Sequence, residues 1–420
     1  MTSALKPPPL RNDCFALPAG VHWTPVEDAL AMLRDRLTPI TAVETIKIAH
    51  AMGRVLAASV FASRANPPLP NTAVDGYGFS GGRPDGAHVL FLLEERAAAG
   101  PMLDLDVPEG HAVRILTGAA LPVGVDTVVL QEDVTTQAGQ VAFNGPIKVG
   151  ANTRRAGEDV HADEIILKVG RRVTAADMAI MAATGVREIS VRKPLRVAVI
   201  STGDELVEAG QSAKQDQIYD ANRPMLLAMI TSMGHESVDM GRCADDRAAL
   251  GEVLDNAAAQ ADVILTSGGA SSGDEDHVSA LLTEAGAMQL WRIAIKPGRP
   301  LALGMWNNTP VFGLPGNPVA AMVCTLIFAR PAMAQLAGAG WSDPIGFDVP
   351  AGFSKSKKAG RREYLRARMR DGRVEAFGSE GSGRISGLSW ADGLVELSEG
   401  AQQINDGDLV RYIPFGSLDL

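Results

Sequence analysis

Hydrophobic and polar positions follow several rhythms along this chain, each marking a different kind of element. Thr24-Pro25-Val26-Glu27 has the form of a capping box with proline at the first helical position, and Val26, Leu30, Leu33 and Leu37 recur at helical spacing, which predicts an amphipathic helix. From Ala57 to Gly150 short apolar runs such as Ala112–Leu116 and Thr127–Leu130 are broken by Pro and Gly, the texture of a β-rich unit. Residues 160–192 predict a hairpin, a helix opened by Thr174 and closed near Gly185, and a further strand. Between 195 and 337 strands and helices alternate, which predicts a doubly wound, mostly parallel sheet. Leu195–Ile200 and Asp262–Thr266 are buried-type strands. Asn222 and Asp245 are placed to cap helices whose apolar faces carry Leu226, Leu227, Ile230 and Met233, and Leu250, Val253, Leu254 and Ala257. Strands near 290–295 and 310–313 and a long helix after Pro318 follow. The tail, about 345–420, returns to short strands with Gly and Asp turns, as in a compact barrel or sandwich.

Composition narrows the class. With 420 residues the chain suits two to four folded units, and 46% hydrophobic with 21% charged residues is ordinary for a globular protein. A net charge of −10 with 5% aromatic residues argues against a general nucleic-acid binder. An anionic small ligand would need locally clustered cations to overcome that field. Cys14, Cys243 and Cys324 share no CxxC spacing and read as reduced thiols, with no zinc site. Met1–Gly20 lacks a signal-type apolar core, and the longest apolar run, Val319–Ala329, is shorter than the ~20 residues of a membrane span, so the expected location is cytoplasmic, with no membrane partner.

In open α/β sheets ligands gather beyond the carboxyl ends of the strands, and the unusual segments fall there. Ser267-Gly268-Gly269 can bare successive amides to a phosphate, or be a plain tight turn. Glu205, Asp245 and Asp276 can hold Mg²⁺, with helix capping as the alternative, above all for Asp245. Lys296 and Arg299 form a positive pair in a proline-stiffened turn, against the alternative of solvated surface charge. Pro315-Gly316-Asn317-Pro318 either walls the site or simply starts a helix. Arg154 and Arg155 suit phosphate or carboxylate contact, or an internal cluster with Glu158 and Asp159. In the tail Arg361, Arg362 and Arg366 surround Tyr364, as a basic strand face also would, and Ser382-Gly383-Arg384 forms a polar loop. Gly269-Ala270-Ser271-Ser272-Gly273 matches a nucleophile elbow, but the last histidine is His277, so a Ser…acid…His triad is excluded and Ser271 is read as a substrate contact.

Taken together, Asp75-Gly76-Tyr77, Arg114–Ala119, Arg155–Asp159, Ser201–Leu206, Ile218–Asn222, Ser267–Asp276, Ile295–Pro300 and Leu314–Pro318 resemble, in order, the motifs of the molybdopterin molybdenumtransferase family, which includes the C-terminal domain of gephyrin. Val74, Gly78, Ala270, Ser272, Arg292 and Arg299 depart from its usual residues, and the tail matches most loosely. The resemblance implies transfer of molybdate into adenylated molybdopterin, with Mg²⁺, giving molybdenum cofactor and AMP. It implies a homodimer with a cleft shared between subunits, and contacts with other cofactor-biosynthesis proteins and recipient apo-enzymes. With the periodicities above it implies an elongated split domain (21–56 and 150–192), a β-rich domain (57–149), a doubly wound α/β domain (193–338) and a C-terminal β-barrel (339–420). Asp75, Thr117, Glu205 and Asp245 would be catalytic. Arg154, Asp159, Ser267, Gly268, Gly269, Ser271, Lys296, Arg299, Pro315, Pro318, Arg366, Ser382 and Arg384 would bind substrate, and Glu205, Asp245 and Asp276 the metal. The rivals are adenylylation of molybdopterin and a gephyrin-type scaffold.

Overall fold

The computed structural model describes residues 23–269, 277–285, 288–290, 292–298, 301–379, 381 and 383–420. The chain divides into two units, one formed by residues up to Ala42 together with Arg192–Leu420, the other by Val43–Val191.

In the first unit a six-stranded sheet is built from β1 (Arg196–Thr202), β2 (Glu236–Cys243), β3 (Val263–Ser267), β4 (Met288–Leu290), β5 (Ala302–Trp306) and β6 (Thr309–Leu314), in the order β2-β1-β3-β6-β5-β4. β2, β1, β3 and β6 run parallel, whereas β5 and β4 are antiparallel additions. The expected apolar runs are buried on both faces. Val197, Val199, Val263, Leu265, Phe312 and Leu314 point into one core layer, and Ala198, Ile200, Ile264 and Val311 into the other. This two-residue alternation between layers is what the pleat imposes on a strand covered from both sides. Helices α2 (Asn222–Ser232) and α5 (Pro318–Cys324) cover the first layer, and α3 (Arg247–Gln260) and α4 (His277–Glu284) the second.

Three expected helix starts differ by a residue or two. Pro25, not Thr24, precedes α1 (Val26–Arg36), without a side-chain cap, because Thr24 is held in a β-bridge to Ile293. Asp246 rather than Asp245 caps α3, accepting from the Ala249 amide. At α2 the side chain of Asp220, not of Asn222, receives the first free amides. The N-terminal helix was also expected in the split domain with residues 150–192. Instead Val26, Ala29 and Leu30 are buried in the first α/β core layer with Ile327 and Leu336.

The apolar run after Pro318 is longer than the sequence suggested. Helical structure continues through a π turn at Thr325–Ala329 to Leu336, and the segment Pro318–Leu336 is long and apolar enough for a membrane span, yet 89% of its most apolar stretch is buried inside the fold. Arg330, in its middle, donates to the carbonyl and hydroxyl of Ser342, as a buried cation must. Cys243 and Cys324 are free and buried, and burial pushes the Cys324 thiol up to about 12.

The tail of this unit is β-rich. Its sheet runs Ile295–Lys296, Arg362–Arg370, Gly393–Leu397, Leu409–Pro414, Phe347–Pro350, so the short strand bearing Lys296 leaves the α/β region to pair in parallel with the tail.

In the second unit, the strands Thr127–Leu130, Gly76–Phe79, His111–Ile115, Arg83–Ala97, Gln140–Ile147 and Val134–Gln137 form a sheet in that order, with Phe79 stacked on Phe143 at 5.2 Å. The expected helix at 174–185 is present as Ala175–Ala183, opened by a reciprocal capping box between Thr174 and Asp177. Thr174→Ala is expected to lower stability by about 1 kcal/mol, measured by urea denaturation.

Candidate functional site

The carboxyl ends of β1, β2, β3 and β6 place four loops on one edge of the parallel sheet. Residues after β1 and β2 hold each other reciprocally: the Asp204 amide donates to Asp245 Oδ2 at 3.2 Å, and the Asp245 amide to Asp204 Oδ1 at 3.4 Å. With Asp246 serving as the cap, Asp245 is left facing this loop pair. Glu205 is exposed, its carboxylate curled over Gly203, where a Cβ would lie 2.5 Å from Oε2. Among the described residues the Glu205 carboxylate receives no hydrogen bond or ion pair. The described residues contain no group of three His, Cys, Asp or Glu side chains converging as a metal site. Asp276, the third expected metal ligand, lies outside the described residues, as do Ser271, Arg299 and Ser382.

After β3 the chain turns tightly against β1 and β6. Gly268 has φ +98° and would place a Cβ 2.6 Å from Thr202 Oγ1, while its amide donates to the Leu314 carbonyl at 3.1 Å. Only glycine fits there, in conformation and in space. Gly269 follows, also at positive φ. Asn222 ties this loop to the one after β6, its amide nitrogen donating to Ser267 Oγ and to the Gly316 carbonyl, both at 2.7 Å. Pro315 is buried, and Pro318 opens α5 behind Asn317, whose side chain accepts from the Val319 amide. The turn after Lys296 joins the same cluster, since a Cβ on Gly298 would come 2.9 Å from Cys324 Sγ and 3.6 Å from Pro315 Cγ.

Lys296 reaches Glu363 Oε1 at 3.3 Å, and Lys355 approaches the other oxygen at 3.3 Å, so one mostly buried carboxylate gathers two ammonium groups. Burial holds the neighbouring Lys357 ammonium below its usual value. Lys296, Pro297, Val319, Glu363 and Arg366 line a hollow of about 30 Å³. Arg366 is 5% exposed, stacks on Phe377 and donates to the carbonyls of Ser379, Gly381 and Arg384. The Arg366 guanidinium thus braces the backbone at Ser379, Gly381 and the exposed Arg384, and burial lowers the pKa of Arg366. Gly383 of that loop lies beside Asn317, where a Cβ would be 3.9 Å from Nδ2.

In the second unit Asp75 and Thr117 meet directly. Asp75 Oδ1 accepts from both the amide and the hydroxyl of Thr117 at 2.6 Å, and these bonds, with Arg114 nearby, hold the carboxyl below its ordinary range. Arg154 pairs by its backbone with Asn71 at a strand edge and is exposed, while Asp159 accepts from the Asn66 side chain at 3.0 Å. The suggested cluster of Arg154 and Arg155 with Glu158 and Asp159 is not an ion-pair network among the described residues: Glu158 instead accepts from the Arg155 amide at 3.0 Å.

Sequence reasoning missed Thr202, Asp204, Lys355 and Glu363. Asp204 sits inside a motif that was recognised, but Glu363 is 67 residues from Lys296 and nothing local marks the pair. A cavity of about 970 Å³ in the first unit lies away from the edge loops, among Glu27, Arg34, Arg362, Glu396 and Arg411. Its charges are spent on one another, Arg362 and Arg411 both pairing with Glu396.

Comparison with known proteins agrees along the chain. Family models match for the MoeA N-terminal region (domain I and II) at 24–185, a probable molybdopterin binding domain at 198–335, and the MoeA C-terminal region (domain IV) at 348–415. A Haemophilus influenzae protein named molybdopterin molybdenumtransferase is 32% identical, covering 94% of this chain and 99% of its own. A Mycobacterium tuberculosis protein named molybdopterin molybdenumtransferase 2 is 33% identical over 86% of this chain and 93% of its own. Among solved structures, a molybdopterin biosynthesis moeA protein from Pyrococcus horikoshii OT3 superimposes with a TM-score of 0.82 at 25% identity, covering 93% of this chain and 100% of that one.

Proposed function

This chain belongs to the molybdopterin molybdenumtransferase family, enzymes of molybdenum-cofactor biosynthesis, and from that premise we propose that it transfers molybdate into adenylated molybdopterin with Mg²⁺, giving molybdenum cofactor and AMP. The observation that carries this reading is the meeting of acidic, glycine-rich and basic loops in one cluster at the carboxyl edge of the parallel sheet. The Ser267 hydroxyl and the Gly269 amide offer donors to the phosphate oxygens, the Gly268 amide being held by the Leu314 carbonyl. Lys296 supplies positive charge that the chain as a whole, at −10, does not. The ionised carboxylate of Asp75, fixed by Thr117, orients the substrate through hydrogen bonds.

Glu205, whose carboxylate has no other partner among the described residues, and Asp245 would hold a Mg²⁺ ion, which takes one or two carboxylates and keeps several waters. When bound, the ion offsets charge on the phosphoanhydride. The remaining work falls to the chain's own groups, which bind and align the two substrates, and no covalent protein nucleophile is needed.

Purified protein given adenylated molybdopterin, molybdate and Mg²⁺ is expected to release AMP in step with molybdate consumed. Consumption of ATP to adenylate molybdopterin, without molybdate-dependent AMP release, would instead identify the earlier step of the pathway. We also propose a homodimer; sedimentation at assay concentration is expected to give twice the 44.1 kDa chain mass, and a fully active monomer refutes it.

A further inference from the structure

We propose that Asn222 is a positioning residue that fixes the Ser267 hydroxyl as a hydrogen-bond donor to an anionic oxygen of the substrate; this rests on the function proposed above. The sequence marks Asn222 as a helix cap, but Asp220 fills that role, its Oδ1 accepting from the amides of Asn222 and Arg223 at 3.1 Å each. The Asn222 side chain, in a residue only 6% exposed, is therefore free to face the edge loops.

Its orientation follows from chemistry. A backbone carbonyl has no proton to give, so the atom 2.7 Å from the Gly316 oxygen has to be the amide nitrogen. The other amide hydrogen then goes to Ser267 Oγ, also 2.7 Å away, which makes that oxygen an acceptor. The hydrogen of the Ser267 hydroxyl is left over. Ser267 is 2% exposed, and among the described residues no acceptor takes this hydrogen. A buried hydroxyl with its proton unspent is unusual in a folded protein, where such groups are nearly always satisfied. Here it stands at the last residue of β3, directly before Gly268, whose positive φ turns the chain at the sheet edge. An arriving oxyanion would accept the spare proton. Asn222 thus determines which way the serine points its hydrogen, and by gripping Gly316 it sets the spacing of the two loops.

The test is a double-mutant cycle on the full-length protein, reading the Kd of adenylated molybdopterin by equilibrium titration and AMP release alongside. Asn222→Ala and Ser267→Ala are each expected to raise Kd roughly tenfold, and the double variant to be little worse than Ser267→Ala alone, because Asn222 acts through the serine. Asn222→Asp keeps the size and reverses the polarity. Its carboxylate takes the serine proton, so binding weakens at neutral pH and partly recovers on acidification, when the acid can donate again. The recovery on acidification is expected to vanish when Ser267→Ala is added, whereas a structural role through Gly316 alone keeps it, and it remains readable if the alanine variant folds poorly. Additive losses in the double variant, or wild-type Kd in Asn222→Ala and Asn222→Asp, overturn the proposal while leaving the function in place. A wild-type protein that neither binds adenylated molybdopterin nor releases AMP overturns both.

Discussion

Replacing Glu205 by Gln is expected to lower molybdate-dependent AMP release about a hundredfold or more, with an unchanged melting temperature. The substitution preserves volume and removes one negative charge. Because the side chain is exposed and its carboxylate holds no hydrogen bond or ion pair among the described residues, the fold has nothing there to lose. If the carboxylate holds Mg²⁺, the loss should be eased by raising Mg²⁺, and Asp245→Asn should show the same dependence. Wild-type activity in Glu205→Gln at limiting Mg²⁺ would remove Glu205 from the site.

Asp75→Asn is the second large effect. The amide can still accept a bond from Thr117 but carries no charge, and AMP release is expected to drop about a hundredfold. The pH dependence follows from the downward shift that Thr117 imposes on this carboxyl. A carboxyl depressed in the folded state stays ionised as pH falls past the unfolded value of 3.8 and is lost only on reaching the lower folded value. Thr117→Ala removes the strongest cause, so the acid limb of the Asp75 titration should move up toward 3.8, measured by carboxyl NMR. An Asp75 titration unmoved by Thr117→Ala would contradict the assigned hydrogen bonds.

The α/β architecture was legible because burial on both faces leaves continuous apolar runs, and because helix faces repeat at their own period. The positions of the edge loops were equally legible, since glycine and proline clusters directly follow the strands. Cap assignments failed where two candidates sit side by side. Asp245 and Asp246 are equivalent as composition, and only backbone geometry decides that Asp246 meets the Ala249 amide while Asp245 turns to Asp204. Asn222 failed for the same reason, two residues from Asp220. The partner of α1 was not legible at all, because an amphipathic stripe states that a face is buried without stating against what. Long-range pairs such as Lys296 with Glu363 are set by the route of the chain, and no local pattern encodes it.

That route has a practical corollary for anyone trimming the protein. The strand Ile295–Lys296 is edged by Arg362–Arg370, and Lys296 is braced by Glu363. A fragment cut near residue 340, at an apparent domain border, would strip the lysine turn of its backbone neighbour and its counter-ion together. Impaired anion capture in such a fragment would then report a collapsed support, and would say nothing about whether the excised portion ever touches the reactants.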